Sequence, residues 1–169
     1  MKYRQWQETT SGRFTNVIKG LSNDLFDSPS LQRLRKIVDL NKAKKMLSVG
    51  SGNGRFELAL MNHFPMLADF IEPSAIMHAQ LMKNIEKHRG PGKAGQVFHG
   101  PFEKFTGTTK YDLVYAVHSF YFLKDPVEGV RKALRLLNPG GDLVIILHLR
   151  RDLAFVSSKN STTIVCKAV

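Results

Sequence analysis

The sequence predicts an α/β fold: a doubly wound, mostly parallel sheet with helices on both faces. Three observations carry that expectation. Short apolar runs such as Tyr111-Asp-Leu-Val-Tyr-Ala-Val117 suit strands buried on both sides. They alternate with segments whose apolar residues recur at helical spacing. The stretch Met46-Leu-Ser-Val-Gly-Ser-Gly-Asn-Gly54 breaks from a strand-like run into three alternating glycines just before a helical pattern. Glycines this close together let the backbone turn tightly and pass close to a ligand.

Taken in order, Phe14, Val17, Ile18, Leu21 and Leu25 fall at helical spacing, so part of the segment from Met1 to Ser28 is expected to be an amphipathic helix. Ser28-Pro29 is a helix start, with serine as cap and proline at the first helical position. Leu31, Leu34, Ile37 and Val38 give the buried stripe of that helix, which runs to about Leu40. Asn41 to Lys44 is a linker and Lys45 to Val49 the first strand. After the glycines, Phe56, Ala59, Leu60, His63 and Phe64 repeat at helical spacing until Pro65. Ala68 to Glu72 is a second strand, and Pro73 and Ser74 open a helix with stripe Ala75, Ile76, Ala79, Met82, Ile85. Gly90 to Gly95 reads as a surface loop, Gln96 to His99 as the third strand and Tyr111 to Val117 as the fourth. Asp125-Pro126 starts a helix with Val127, Val130, Leu134 and Leu137 facing inward. Asn138-Pro-Gly-Gly141 is a turn, Asp142 to Leu149 the fifth strand, Ser157 to Ser161 a loop and Thr162 to Ala168 a last strand.

With 169 residues and 43% hydrophobic content, the chain is expected to form one domain. Residues 1–44 are its helical cover, 45–149 its core and 150–169 a shortened tail. Met1 to Gly20 is polar and mixed, unlike a signal peptide. The longest apolar run, Leu143 to Leu147, is far too short to span a bilayer, so no membrane partner is expected. The lone cysteine, Cys166, fits a reducing compartment, and the reading is a cytoplasmic monomer. The net charge of +11 raises nucleic acid as a partner. The basic residues are spread along the chain without an RNA-binding aromatic motif, however, and a solvated basic surface is the preferred reading.

The glycine loop lies where amides face the crevice at the carboxyl ends of the strands. A dinucleotide fingerprint needs a sixth-position glycine, and Arg55 stands there; no Gly-Lys-Ser/Thr follows for a phosphate loop. What remains is Gly50-x-Gly52-x-Gly54, with Glu72 twenty positions beyond Gly52 at the end of the second strand. That carboxylate is placed to accept hydrogen bonds from ribose hydroxyls. The alternative role for Glu72 is a helix-start residue favoured by the helix dipole.

Leu47-Ser-Val-Gly-Ser-Gly-Asn-Gly54, Phe70-Ile-Glu-Pro-Ser74, Tyr111-Asp-Leu-Val114 and Leu137-Asn-Pro-Gly-Gly141 together resemble the successive motifs of class I S-adenosylmethionine-dependent methyltransferases. Within that superfamily, Val117-His-Ser-Phe-Tyr-Phe-Leu-Lys-Asp125 and the first two motifs look closest to histamine N-methyltransferase and its relatives. The resemblance implies a Rossmann-like fold and S-adenosylmethionine as cofactor. It sets Gly50, Ser51, Gly52 and Gly54 against the methionine part, Glu72 with Pro73 and Ser74 at the ribose, and Val117 and His118 beside the cofactor and the transferring methyl. Ser48 departs from the acidic residue many superfamily members carry there. Pro101-Phe102-Glu103 lacks the Gly-Asp pair that often reaches adenine, so Phe102 is expected to stack on the ring instead. The superfamily usually ends in a helix and an antiparallel strand pair, for which Thr162 to Ala168 stands here, leaving an unpaired sheet edge as an expected liability.

The implied chemistry is methyl transfer to a small amine such as histamine. An aliphatic amine with a pKa of about 10 is neutral only to the order of one part in a thousand at pH 7, so a base is needed, and His118 is the candidate. Its other role is to shape the pocket. His63 and His78 read as structural, and His99 borders the adenine side. The histidines show no metal-ligand spacing. Tyr3, Trp6, Phe120 and Tyr121 are candidates for an aromatic wall, and Asp24 and Asp27 for an acid that binds the amine. The alternatives are a silent, shortened methyltransferase-fold protein and an RNA methyltransferase.

Overall fold

In the computed structural model, residues 25–148 and 161–167 are described. The amphipathic segment over 14–25, Tyr3, Trp6, Asp24 and the loop before Ser161 lie outside them, apart from Leu25 at the start of a short 3-10 turn, Leu25–Asp27.

The first helix, α1 (Pro29–Ile37), begins as the sequence requires, with the Ser28 Oγ accepting from the Leu31 N–H at 3.4 Å. It ends three residues before Leu40 because Val38 is already extended. Leu31 and Leu34 are fully buried, each burial worth roughly 1.5–3 kcal/mol. Ile37, expected in the stripe, is 39% exposed.

Six strands form one sheet: β1 (Lys45–Val49), β2 (Leu67–Glu72), β3 (Lys93–His99), β4 (Tyr111–Val117), β5 (Leu137–His148) and β6 (Ser161–Lys167). Their order is β3-β2-β1-β4-β5-β6. The first five run parallel and β6 antiparallel to β5, so the doubly wound, mostly parallel architecture is the observed one. Between them lie α2 (Arg55–Met61), α3 (Ala75–Lys87) and α4 (Pro126–Arg135).

Strand alternation divides the core. Met46 and Tyr115 face a cluster with Leu31, Leu34, Leu60 and Leu81 from α1, α2 and α3. Leu47, Val49, Val114 and Ala116 face another with Ala133 from α4. The β1 and β4 bounds match the sequence expectation. β3 starts earlier, so Gly95 belongs to a strand and not to a loop. β5 takes in Asn138 to Gly141, with a register shift opposite Tyr111 and Leu113, where a separate turn was expected. β6 pairs with β5 from Ser161↔His148 to Lys167↔Asp142, so the edge of β5 is covered.

Two stripes need correction. On α3, Ile76 and Met82 are exposed at 55% and 38%, and Leu81 is the buried residue. The inward face carries Met77, His78 and Asn84 because it borders the glycine loop and the end of β3. On α4, Val127 is 61% exposed while Gly129 and Ala133 face the sheet, and Leu137 is a buried residue of β5.

Candidate functional site

β1 ends at Val49 and the chain turns through three left-handed glycines: Gly50 at φ +72°, Gly52 at +58° and Gly54 at +74°. Side chains at these angles would be strained. At two of the glycines a side chain would also meet a neighbour. A Cβ at Gly50 would lie 2.4 Å from the Ser119 Cβ, and one at Gly54 would lie 2.3 Å from a Leu81 methyl. At Gly52 nothing lies within 4 Å, so this glycine faces open space.

The loop is tied to the end of β2. The Gly50 and Ser51 N–H groups both donate to the Ile71 carbonyl, at 2.8 and 3.0 Å. The Gly52 N–H donates to Glu72 Oε2 and the Ser74 N–H to Glu72 Oε1, each at 2.7 Å. The buried Glu72 carboxylate therefore joins the glycine loop to the start of α3, where the Ser74 Oγ caps the helix by accepting from the Met77 N–H. Asn84 of α3 reaches back, its amide donating to the Asn53 carbonyl at 2.9 Å. On the other side, the Ser119 Oγ donates to the Val49 carbonyl at 2.5 Å, holding the ends of β1 and β4 together.

Beneath the loop lies a buried polar cluster. The Ser48 Oγ donates to Glu57 Oε1 at 2.7 Å. Burial pushes the Glu57 carboxyl up to about 7, against the hydrogen bond from Ser48 and with an added push from Glu72. Its Oε2 and the Tyr115 hydroxyl, both buried, have no hydrogen-bond partner among the described residues. The Tyr115 hydroxyl is raised by burial and by Glu57.

The structure thus gathers Gly50, Ser51, Gly52, Gly54, Glu72 and Ser74 into one bonded group, with half-buried Pro73 between the last two. Val117 and His118 end the strand next to β1, both half-buried. His118 leaves β4 in the left-handed region, φ +53°, with its N–H donating to the Ile146 carbonyl at 2.8 Å. A non-glycine residue there is uncommon and turns the side chain away from the strand's alternation.

Other expectations are corrected. Phe102 is 3% exposed, packed near Phe120 and under the Lys132 ammonium at 4.9 Å, so its ring belongs to the core and is not available for stacking. Lys132 holds it there by donating to the Phe102 and Glu103 carbonyls. Phe120 is equally buried and forms no wall, whereas Tyr121 is exposed. Asp27 pairs with Arg35 at 3.5 Å. His63 stacks on Phe26 at 3.8 Å, a structural role as expected, and His99 stacks on His78 at 4.5 Å. Sequence reasoning passed over Ser119, Asn84 and Glu57. The signal for Glu57 was present: an acid three residues after the last glycine, with serine at position 48 in the strand.

The open face at Gly52 lies beside a carboxylate fixed by backbone donors, at the carboxyl ends of β1 and β2, where open α/β sheets bind their ligands.

A methyltransferase domain model matches residues 24–162. The chain is 28% identical over 114 residues to a tRNA U34 carboxymethyltransferase of Desulfotalea psychrophila, covering 68% of this chain and 35% of that protein. It is 29% identical over 135 residues to a ribosomal protein L11 methyltransferase of Chelativorans, covering 74% of this chain and 44% of that one. The chain thus spans less than half the length of these relatives. In fold it resembles a methyltransferase of Geobacter sulfurreducens solved with S-adenosyl-L-homocysteine, at a TM-score of 0.60 and 20% identity over 70% of this chain and 48% of that one.

Proposed function

The chain belongs to the class I S-adenosylmethionine-dependent methyltransferases, and on that premise we propose that it transfers a methyl group to the nitrogen of a small amine such as histamine. The observation that carries the cofactor part of this reading is the glycine cradle, open at Gly52 and bonded to Glu72; the amine rests on the likeness of Val117 to Asp125 to the histamine-methylating group. In it, Gly50, Ser51, Gly52 and Gly54 would hold the methionine part of the cofactor. Glu72 would accept the ribose hydroxyls, with Pro73 and Ser74 alongside.

S-adenosylmethionine, when bound, supplies a methyl group on a positively charged sulfur that is already a good leaving group. The residues' work is then mainly positioning, for which effective molarity contributes roughly 7–11 kcal/mol. Val117 and His118 would border the acceptor. His118 would take the proton that the ammonium of the amine must lose.

A second reading, methylation of RNA, is favoured by the net charge of +11 and by the tRNA-modifying relative. Calorimetry with S-adenosylmethionine, followed by radiolabelled methyl transfer to an amine panel and to bulk tRNA, separates the readings. Transfer to an amine, reduced about 10²-fold or more in His118→Ala, supports the first. Transfer to tRNA with steeply salt-dependent binding replaces it with the second. Cofactor binding without transfer to either identifies a silent binding protein.

A further inference from the structure

Under the glycine loop the structure keeps a carboxyl group that the reading above does not use. Glu57 sits in the first turn of α2, where an acidic side chain ordinarily reaches solvent, yet it is 3% exposed. One oxygen is bound by the Ser48 hydroxyl of β1 and the other has no hydrogen-bond partner among the described residues. A buried carboxylate left half-satisfied is costly, and the cost falls on its charged form. The ionisable groups that act on it add no cation. From β2 comes Glu72, a second carboxylate, and from β4 the buried Tyr115 hydroxyl. Among the other elements packed on α2, Asp27 is turned outward and paired with Arg35, and His78 of α3 is stacked on His99. Arg55, two residues before Glu57 on the same helix, forms no ion pair among the described residues.

We infer that Glu57 is a positioning residue that senses charge in the crevice through the floor of the glycine loop: it holds a proton while the crevice lacks a cation and releases it when a sulfonium-bearing ligand lies over the loop. The inference rests on the reading of this crevice as the cofactor site. A unit positive charge about 10 Å from a carboxyl group, at an effective dielectric of about 20, lowers the carboxyl's proton affinity by roughly tenfold. Glu57 is suited to feel such a change, because burial already holds its proton affinity near neutrality.

The consequence is discrimination between cofactor and product. Methyl transfer moves a methyl group from the sulfonium to the acceptor nitrogen and leaves a neutral thioether, so the product loses the charge that favoured ionised Glu57. The carboxyl then takes a proton back from solvent, and its contribution to binding disappears as the product forms. Glu57 thereby favours the charged ligand over the spent one, and does so more strongly as pH rises.

Calorimetry near pH 6.5 in phosphate and in imidazole, buffers of different ionisation enthalpy, measures the protons released on binding. S-adenosylmethionine is expected to release a substantial fraction of a proton from the wild-type protein, and S-adenosylhomocysteine clearly less. Glu57→Gln keeps the shape and an acceptor for Ser48. It should abolish the difference between the two ligands and flatten a several-fold rise in cofactor affinity with pH. Histidines titrating in the same range are common to both proteins and cancel in the comparison. Ser48→Ala removes the hydrogen bond that favours the charged form, so the midpoint of the pH dependence should move upward. Equal proton release with both ligands, or the same release in Glu57→Gln, overturns the inference while leaving the cofactor site intact. Absence of any binding overturns the cofactor reading and the inference together.

Discussion

Two buried carboxylates at the two ends of the sheet, Asp69 and Glu57, are satisfied to different degrees. At the amino end, Asp69 of β2 accepts from the Tyr111 hydroxyl at 2.9 Å and the Gln96 N–H at 2.7 Å, and lies 3.7 Å from the Lys45 ammonium. Half-buried Asp112 at the start of β4 accepts from the Lys44 and Lys45 N–H groups and from Asn138. These bonds tie β1, β2, β3, β4 and β5 together, and their carboxylates have donors to match. At the carboxyl end, Glu72 binds the loop backbone and Glu57 keeps an oxygen without a hydrogen-bond partner among the described residues. The difference teaches what each carboxylate can do: the satisfied Asp69 ties strands together, whereas Glu57, buried with one oxygen lacking a hydrogen-bond partner among the described residues, can respond to charge in the crevice.

Four changes should sharpen or break that contrast. The largest effect is expected from Gly50→Ala at the carboxyl end, where a left-handed backbone and a 2.4 Å approach to Ser119 coincide. It should cost about 4 kcal/mol in urea unfolding and abolish measurable cofactor binding. Asp69→Ala at the amino end strands the Tyr111 hydroxyl and the Gln96 N–H, at about 3 kcal/mol of stability, yet should leave cofactor affinity within about twofold. A large affinity loss there would erase the division between the ends.

The third effect is of pH. Folded Glu57 holds its proton up to about 7, whereas its ordinary value is 4.5. Between those values the folded state binds more protons than the unfolded chain, so this group's contribution to stability declines as pH rises through the window. The total is on the order of 3 kcal/mol, and Glu57→Gln should remove that slope from denaturation curves measured across it. The smallest effect belongs to Gly52→Ala. With open space around the new methyl, it should cost only about 1–2 kcal/mol of backbone strain, but it should obstruct the ligand.

The parts of this molecule legible in the sequence are those governed by local chemistry. β1 and β4 are nearly continuous apolar runs, Ser28-Pro29 and Asp125-Pro126 are helix starts, and the alternating glycines admit few conformations. Glu72 stands out in the sequence because its distance from Gly52 is set by one helix and one strand, and the structure bonds it to the Gly52 N–H. The misreadings concern residues placed by tertiary packing. Ile76 and Met82 fit an apolar stripe, but α3 is rotated so that Leu81 lies against Gly54 and Asn84 reaches Asn53. Phe102 follows β3 as an adenine-facing residue would, but the 3-10 turn Phe102–Lys104 and the Lys132 ammonium direct it into the core. Glu57 was hidden for a different reason: an acid in a helix's first turn is explained by the dipole, and only the packed fold shows it to be buried against Ser48.

The central claim is that the crevice at the carboxyl end binds S-adenosylmethionine through the glycine loop and Glu72. Titration calorimetry of wild-type protein and Glu72→Ala with S-adenosylmethionine tests it most directly. The account predicts saturable binding in the wild type, weakened about 10- to 100-fold in the variant, since the loss of an acceptor for the ribose adds to the freeing of the Gly52 and Ser74 N–H groups. Unchanged affinity in a folded Glu72→Ala protein, or no binding by the wild type, would contradict it.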